Sequence, residues 1–313
     1  LALSAGVEPV GYGPGRGGGI VFSGGAPLPR VQVQTTRPLL LPGWLRFLGP
    51  VSGHTSLTRL DEARHPGDPF LLGMRAAIRP HPRFTAAVNR GSIFGGDSVS
   101  YALNARNVVR MLLGMLTYDF ENQVVSADFT FRAPTERVLP LTLYLEWGAE
   151  DAAGAWWDVP ARVVGAFTPA VPGAPQLSLG AEYTHFSLYC CGNPPWYLHA
   201  GQRGGWAARD VPLGHPLGGE GREVLLYGGA DLLGARLRLD GRAFQRERGR
   251  EGYDTFVRAG NLFAPERAGT SHGVQLDGSW RFARGTELRV SGVRELGERW
   301  AAHQVSIRML TLF

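Results

Sequence analysis

Apolar and polar side chains alternate along the last segment of the chain. Val305, Ile307 and Met309 share one side of an extended segment, whereas Ser306 and Arg308 share the other. Successive side chains of a β-strand point to opposite faces, so such a segment separates an apolar environment from an aqueous one. The same alternation recurs in segments 122–132, 139–147, 236–246 and 271–282. The pattern predicts an all-β protein of about 14 visible antiparallel strands.

The charges and the loop lengths favour a transmembrane antiparallel β-barrel over a soluble sandwich. The polar faces mix Arg with Asp and Glu, as side chains do when they bridge a lumen. Connections at 80–82, 134–137, 232–234 and 284–285 are short, and those at 91–121, 148–159 and 189–221 are long. Long and short connections alternate along the chain, as in outer-membrane barrels with short periplasmic turns. We expect one barrel domain over residues 1–313, in a bacterial outer membrane with its long loops facing the exterior.

Composition narrows the functional classes. The mean hydropathy is −0.09, and no run of about 18 apolar residues occurs, which excludes a helical membrane protein. The net charge of +5 is scattered along the chain, so a nucleic-acid partner is not expected. All 32 basic residues are Arg. A GC-rich genome is the plain explanation, and the alternative is that guanidinium groups bind carboxylates in a pore or on a ligand.

The start of the chain lacks a clear strand pattern. Residues 1–18 are interpreted as a loop, with the first visible strand near 19–23, and earlier strands and a signal peptide are expected before Leu1.

Cys190 and Cys191 are adjacent in the longest loop, so they either form a strained vicinal disulfide or stay free. Neither a metal site nor a cofactor is expected.

One long connection carries a helical pattern. In segment 103–116, Val109, Leu112 and Leu113 fall on one helical face, and Arg106 and Arg110 lie four residues apart on another. We expect a short amphipathic helix packed over or into the barrel mouth. It either plugs the lumen or contacts a ligand through the two arginines.

The aromatic loops supply the candidate ligand-binding residues. Sugar rings stack on aromatic faces, and Arg binds hydroxyl and carboxylate groups. The candidates in the outer loops are Trp156, Trp157, Trp196, Tyr197, Trp206, His215 and Arg222. The alternative is that these aromatics form an interfacial girdle or pack the loops together. Catalysis is not expected, because His185 and Ser187, the one formal pair, lie too far apart along a strand for a direct hydrogen bond.

Five blocks of the sequence resemble a known family. Residues 11–38, 57–97, 121–134, 139–154 and 209–229 are similar, in order and spacing, to segments of the capsule assembly protein Wzi family. The resemblance implies an outer-membrane barrel of about 18 strands that acts as a lectin and holds capsular polysaccharide on the cell surface. It also implies a monomer in contact with outer-membrane lipids, with no cofactor and no reaction.

Two non-catalytic functions therefore compete. The first is a surface lectin that binds capsular or exopolysaccharide, which the resemblance and the aromatic loops favour. The second is a passive porin, which requires an open lumen. The expected helix argues for a plug and so against the porin.

Overall fold

A computed structural model describes residues 1–25, 27–60, 64–97, 99, 103–112, 121–150, 160–187, 196–199, 201–209, 211–249, 267–283 and 285–311. The first strands are β1 (Ala2–Glu8), β2 (Leu28–Gln34), β3 (Leu39–Leu40), β4 (Pro50–Arg59), β5 (Phe70–His81), β6 (Phe84–Phe94), β7 (Glu121–Arg132), β8 (Thr142–Glu150) and β9 (Ala161–Thr168). They are followed by β10 (Leu177–Phe186), β11 (Ala207–Ala208), β12 (Val211–Pro212), β13 (Gly221–Leu232), β14 (Leu237–Arg248), β15 (Gly269–Ala283), β16 (Thr286–Gly297) and β17 (Ala301–Thr311). A 3-10 helix spans Gly43–Leu48, and helix α1 spans Ala105–Leu112.

One antiparallel sheet forms the wall of the molecule. Its hydrogen-bonded order is β1-β2-β4-β5-β6-β7-β8-β9-β10-β13-β14-β15-β16-β17, and β3 joins β4 off this path. Each of these 14 strands therefore lies next to its neighbour in sequence, which is the topology of an up-and-down barrel wall. Within the described residues, β1 and β17 are the two ends of the path. This wall confirms the predicted number of visible strands.

The two faces of the wall differ as the alternation predicts. On the outer face of β13, Val224 and Leu226 are exposed, whereas Glu223 and Leu225 on the inner face are buried. The same arrangement places Val305, Ile307 and Met309 of β17 on the outside. A wall with apolar residues outside and charged residues inside is the arrangement of a transmembrane barrel, so this prediction is confirmed. Within the part of the chain that the structure describes, no helix has the length and apolar character needed to cross a membrane.

The two ends of the wall differ in the length of their connections. At one end, here called the short-turn end, β5 and β6 are joined by 82–83, β13 and β14 by 233–236, and β15 and β16 by 284–285. At the other, the long-loop end, the connections include 9–27, 95–120, 187–206 and 249–268. The predicted alternation is confirmed for these connections. Two connections depart from it: residues 35–49, between β2 and β4, are long at the short-turn end, and residues 298–300, between β16 and β17, are short at the long-loop end.

The start of the chain corrects one expectation. Ala2–Glu8 is a strand paired with β2, not a loop. Residues 19–23 do not form a regular strand, and Ile20, Val21 and Phe22 are buried inside the wall. Their apolar character reflects burial among other loop residues rather than contact with lipid.

Helix α1 lies where it was expected in sequence but not in space. Met111 packs with Phe94, Phe70 and Leu72, all on the outer face of β5 and β6. Gly73 and Gly91 occupy inward-facing positions of the same two strands, and a Cβ at Gly91 would meet Trp206 inside the wall. The helix therefore packs against the outside of the wall at its long-loop end, not over or into the mouth. The side chain of Arg90 fixes it by donating to the carbonyl oxygens of Met111 (2.9 Å) and Leu112 (3.0 Å).

Candidate functional site

Two loop segments fill the inside of the wall near the long-loop end. They are residues 10–25 and the described part of 196–220, and together we call them the plug. Its largest fully buried side chains include Trp206, Tyr197 and Ile20. The plug is held by two kinds of contact, one from inner-face carboxylates and one between the segments themselves.

Glycines let the first plug segment run close to the inner face. A Cβ at Gly17 would lie 2.7 Å from carboxylate oxygens of both Glu182 and Glu223, and 3.1 Å from the His215 ring. A Cβ at Gly19 would overlap the carbonyl oxygen of Tyr12. Only glycine fits at positions 17 and 19, because any Cβ there would overlap the wall or the plug itself.

Glutamates of the wall accept hydrogen bonds from the plug backbone. Glu182 of β10 accepts from the N–H groups of Arg16 (2.7 Å) and Gly17 (2.9 Å). Glu146 of β8 accepts from Ile20 N–H at 3.2 Å, and Glu150 accepts from Tyr197 N–H at 2.8 Å. Backbone N–H groups without a helix or strand partner need an acceptor when they are buried. The carboxylates therefore fix the loops inside the wall.

Aromatic side chains join the two plug segments. The indole N–H of Trp206 donates to the carbonyl oxygen of Val21 at 2.7 Å. The Tyr197 hydroxyl donates to the carbonyl oxygen of Ile20 at 2.6 Å and accepts from His215 N–H at 3.0 Å. Burial raises the pKa of Tyr197 well above its usual value, so this hydroxyl keeps its proton and remains a donor.

The predicted sugar-binding aromatics of this loop are therefore core residues. Trp196, Tyr197 and Trp206 are 4%, 2% and 1% exposed, and His215 is fully buried. A ring enclosed on both faces has no surface on which a sugar can stack. The structure brings these four residues together, but they pack the two plug segments against each other, which was the alternative to a sugar-binding role.

The buried side chains of Glu182, His215 and Glu223 lie close together next to Gly17. One ligand atom from each of Glu182, His215 and Glu223 lies within 4.8 Å of the others. The Nδ1 atom of His215 accepts from Leu217 N–H at 3.1 Å, which places the ring proton on Nε2. Nε2 then lacks the lone pair that a metal needs, and it faces Thr184 at 3.3 Å. Burial lowers the pKa of His215 to about 4, so the ring is neutral at pH 7. The geometry is that of a hydrogen-bonded cluster rather than a metal centre.

The remaining predicted residues lie away from the plug. Arg222 and His215 were both ligand candidates, but Arg222 is on the outer face, where it binds Glu247 at 2.6 Å, whereas His215 is buried inside the wall. Arg106 and Arg110 lie on helix α1, outside the wall. Trp156, Trp157, Cys190 and Cys191 lie outside the described residues. Ser187, named with His185 as a formal pair, donates instead to the carbonyl oxygen of Pro160 at 2.9 Å.

An inner-face polar network was not predicted from the sequence. Arg75 contacts both Asp128 and Asn89 at 2.5 Å, and Ser126 donates to Glu146 at 2.6 Å. These residues come from four consecutive strands, β5, β6, β7 and β8, and meet across the inner face of the wall. The alternation assigned Ser126 and Asp128 to the polar face, but partner choice depends on strand register.

Solved structures share this fold. The chain is 18% identical to Wzi of Escherichia coli, described as a carbohydrate-binding β-barrel outer-membrane protein involved in group 1 capsule assembly, with a TM-score of 0.73. That match covers 98% of this chain and 65% of that chain, so the chain spans less than two thirds of its length. Pseudomonas aeruginosa OpdQ is 7% identical with a TM-score of 0.51, over 94% of this chain and 74% of that one. Acinetobacter baumannii OccAB4 is 9% identical with a TM-score of 0.50, over 98% and 71%.

Sequence comparison gives the family. No curated protein sequence is significantly similar to this chain. The family model of the capsule assembly protein Wzi matches residues 1–302. With this match across nearly its whole length, and with a barrel wall of the same fold as E. coli Wzi, the chain belongs to the capsule assembly protein Wzi family.

Proposed function

We propose that this protein is a non-catalytic outer-membrane lectin that binds exported capsular or exopolysaccharide and anchors it to the cell surface. The observation that carries the proposal is the plug, because loops fixed inside the wall give the long-loop end a closed surface. A surface of this kind suits binding, whereas a diffusion channel needs open space. Family membership and the carbohydrate binding described for E. coli Wzi support the same function.

The long-loop end is the proposed polysaccharide surface. In outer-membrane barrels the short turns face the periplasm and the longer loops face the exterior. Arg203 and Arg209 are exposed on the plug at this end, where guanidinium groups could bind sugar carboxylates or hydroxyls. Trp156 and Trp157, on the connection between β8 and β9, remain the aromatic candidates for stacking on a sugar ring. The protein acts as a monomer in this proposal.

A glycan-binding experiment tests the proposal. The purified protein in detergent is applied to an array of acidic and neutral bacterial polysaccharides, and bound ligands are titrated. Trp156→Ala combined with Trp157→Ala should weaken binding about tenfold or more, since loss of aromatic stacking costs about 1 kcal/mol per ring. The matched control is Trp44→Ala, because Trp44 is 78% exposed on the 3-10 helix at the short-turn end. Absence of glycan binding in the unmodified protein would refute the lectin.

Conductance separates the lectin from a passive porin. With the plug in place, the protein reconstituted in planar bilayers should show no steady open-channel current. A steady current together with no glycan binding would favour the porin. A steady current together with intact glycan binding would show that the plug does not close the lumen, and it would leave the lectin proposal standing.

A further inference from the structure

The outer face carries a band of polar residues at the level where the wall meets the long loops. Register places Arg162 of β9 directly opposite His185 of β10, and His185 directly opposite Arg222 of β13. Trp147 of β8 precedes this row and Glu247 of β14 follows it. Neighbouring strands lie about 4.8 Å apart, so the two arginines are separated by about 10 Å across the wall. We call Arg162, His185 and Arg222 the cationic row.

The row is accessible from outside. Arg162 and Arg222 are exposed and His185 is half-buried, whereas their neighbours along each strand point inward and are buried. The Arg162 guanidinium lies over the Trp147 ring, 4.5 Å from its centroid, which holds the side chain flat against the wall. Among the described residues, Arg222 pairs with Glu247, in an exposed ion pair that water screens and that contributes little stability. Guanidinium donors of both arginines are therefore available to an external anion.

Apolar side chains lie directly below the row, toward the short-turn end. Val164, Tyr183 and Val224 form the next outward-facing register row and are 45%, 43% and 51% exposed. Leu226 and Leu179 continue this surface. A lipid in the membrane has the same order, with an anionic headgroup above its acyl chains. The charge of the row and its position above an apolar surface thus fit an anionic membrane lipid.

We infer that the cationic row is a binding site for the phosphorylated headgroup of an outer-leaflet glycolipid. Arg162 and Arg222 donate charge-assisted hydrogen bonds to phosphate oxygens, and His185 lies between them as a further donor or acceptor. The acyl chains lie on Val164, Tyr183 and Val224. Basic side chains at a membrane surface recognise anionic headgroups in the same way in other membrane proteins. The site lies on the opposite face of the wall from the plug and is independent of polysaccharide binding.

Lipid titration tests the inference. The detergent-solubilised protein is titrated with diphosphoryl lipid A, with a phosphate-free lipid of the same acyl chains, and with inorganic phosphate, and bound species are counted by native mass spectrometry. Diphosphoryl lipid A should bind about tenfold or more tightly than the phosphate-free lipid, and Arg162→Gln with Arg222→Gln should abolish that difference. The matched control is Arg37→Gln with Arg46→Gln, which removes the same charge from exposed positions at the short-turn end.

Two further results decide the assignment. Glu247→Gln removes the carboxylate that competes for Arg222, so it should tighten binding of diphosphoryl lipid A several-fold. Unchanged or weaker binding in this variant would overturn the role of Arg222. Equal binding of the two lipids would overturn the site as a whole. Displacement of lipid A by inorganic phosphate at equal concentration would overturn the lipid as ligand and leave a free anion.

Discussion

Trp206 is the side chain whose removal should release the plug. Its ring is 1% exposed, lies 5.7 Å from the Phe22 ring between centroids, and fills the space over Gly91. Its indole N–H is the hydrogen-bond donor to the carbonyl oxygen of Val21. Trp206→Ala therefore removes both the apolar contact and the hydrogen bond between the two plug segments.

The expected loss follows from these contacts. A large aromatic replaced by Ala in a packed core costs about 3–5 kcal/mol. The carbonyl of Val21 loses its partner as well, which adds about 1–3 kcal/mol if water does not replace the donor. Trp206→Phe keeps one aromatic ring but loses the hydrogen bond and part of the buried indole volume, so it should cost less than Trp206→Ala. The loss concerns the plug, since the wall strands keep their own hydrogen bonds.

Hydrogen exchange measures the effect locally. The amides of Tyr12 and Ser23 report on the plug, because they donate to carbonyl oxygens of Phe22 and Leu213. A loss of about 3 kcal/mol corresponds to about 100-fold faster exchange when opening is local. Amides of β15 and β16 should be unchanged. Trp44→Ala at the exposed 3-10 helix should affect neither set. Unchanged protection of Tyr12 and Ser23 in Trp206→Ala would refute the assignment of Trp206 as the anchor of the plug.

Three other changes test the same region. His215 is buried and neutral with a pKa of about 4, below the unfolded value of about 6.5, so protonation favours opening. Plug stability should be full above about pH 6.5 and fall by on the order of 3 kcal/mol as the pH drops to about 4. Protection factors of the plug amides, which correct for the intrinsic pH dependence of exchange, measure this, and constant protection over that range would contradict it. Gly17→Ala should speed proteolysis of residues 9–27, because its Cβ meets two carboxylate oxygens, whereas Gly292→Ala, with nothing within 4 Å, should not. Glu182→Gln keeps one acceptor oxygen but turns an amide donor toward one of the two N–H groups, that of Arg16 or that of Gly17, and should cost about 1–3 kcal/mol. Thermal unfolding measures the cost, and an unchanged melting temperature would argue against the carboxylate contact.

The wall could be predicted from the sequence because its pattern is local. Alternation with a period of two assigns each residue of β7 or β17 to a face without knowledge of its neighbours. Connection lengths then order the two ends of the wall. The alternation does not distinguish lipid from a packed loop core, because both exclude water. Ile20 and Phe22 were therefore assigned to a strand, although they lie inside the wall.

The plug could not be predicted because its contacts join distant segments. Gly17 contacts Glu182, and Val21 contacts Trp206, so each interaction requires the register of the whole wall. The same limit applied to the ligand candidates. The sequence of a glycine-rich loop does not show whether a Trp in it is exposed or buried. Trp206 is enclosed by contacts with Phe22 and Val21, which come from the other plug segment.

Arg222 shows how register changes a functional assignment. In sequence it lies close to His215, and both side chains were candidates for binding a ligand. In β13 the inward position belongs to Glu223, so Arg222 points outward beside His185 and Arg162. A shift of one residue would have exchanged the two side chains, since neighbours on a strand face opposite sides. The register therefore separates the two former candidates: His215 lies inside the wall with the plug beside Glu223, whereas Arg222 belongs to the proposed lipid site on the outer face.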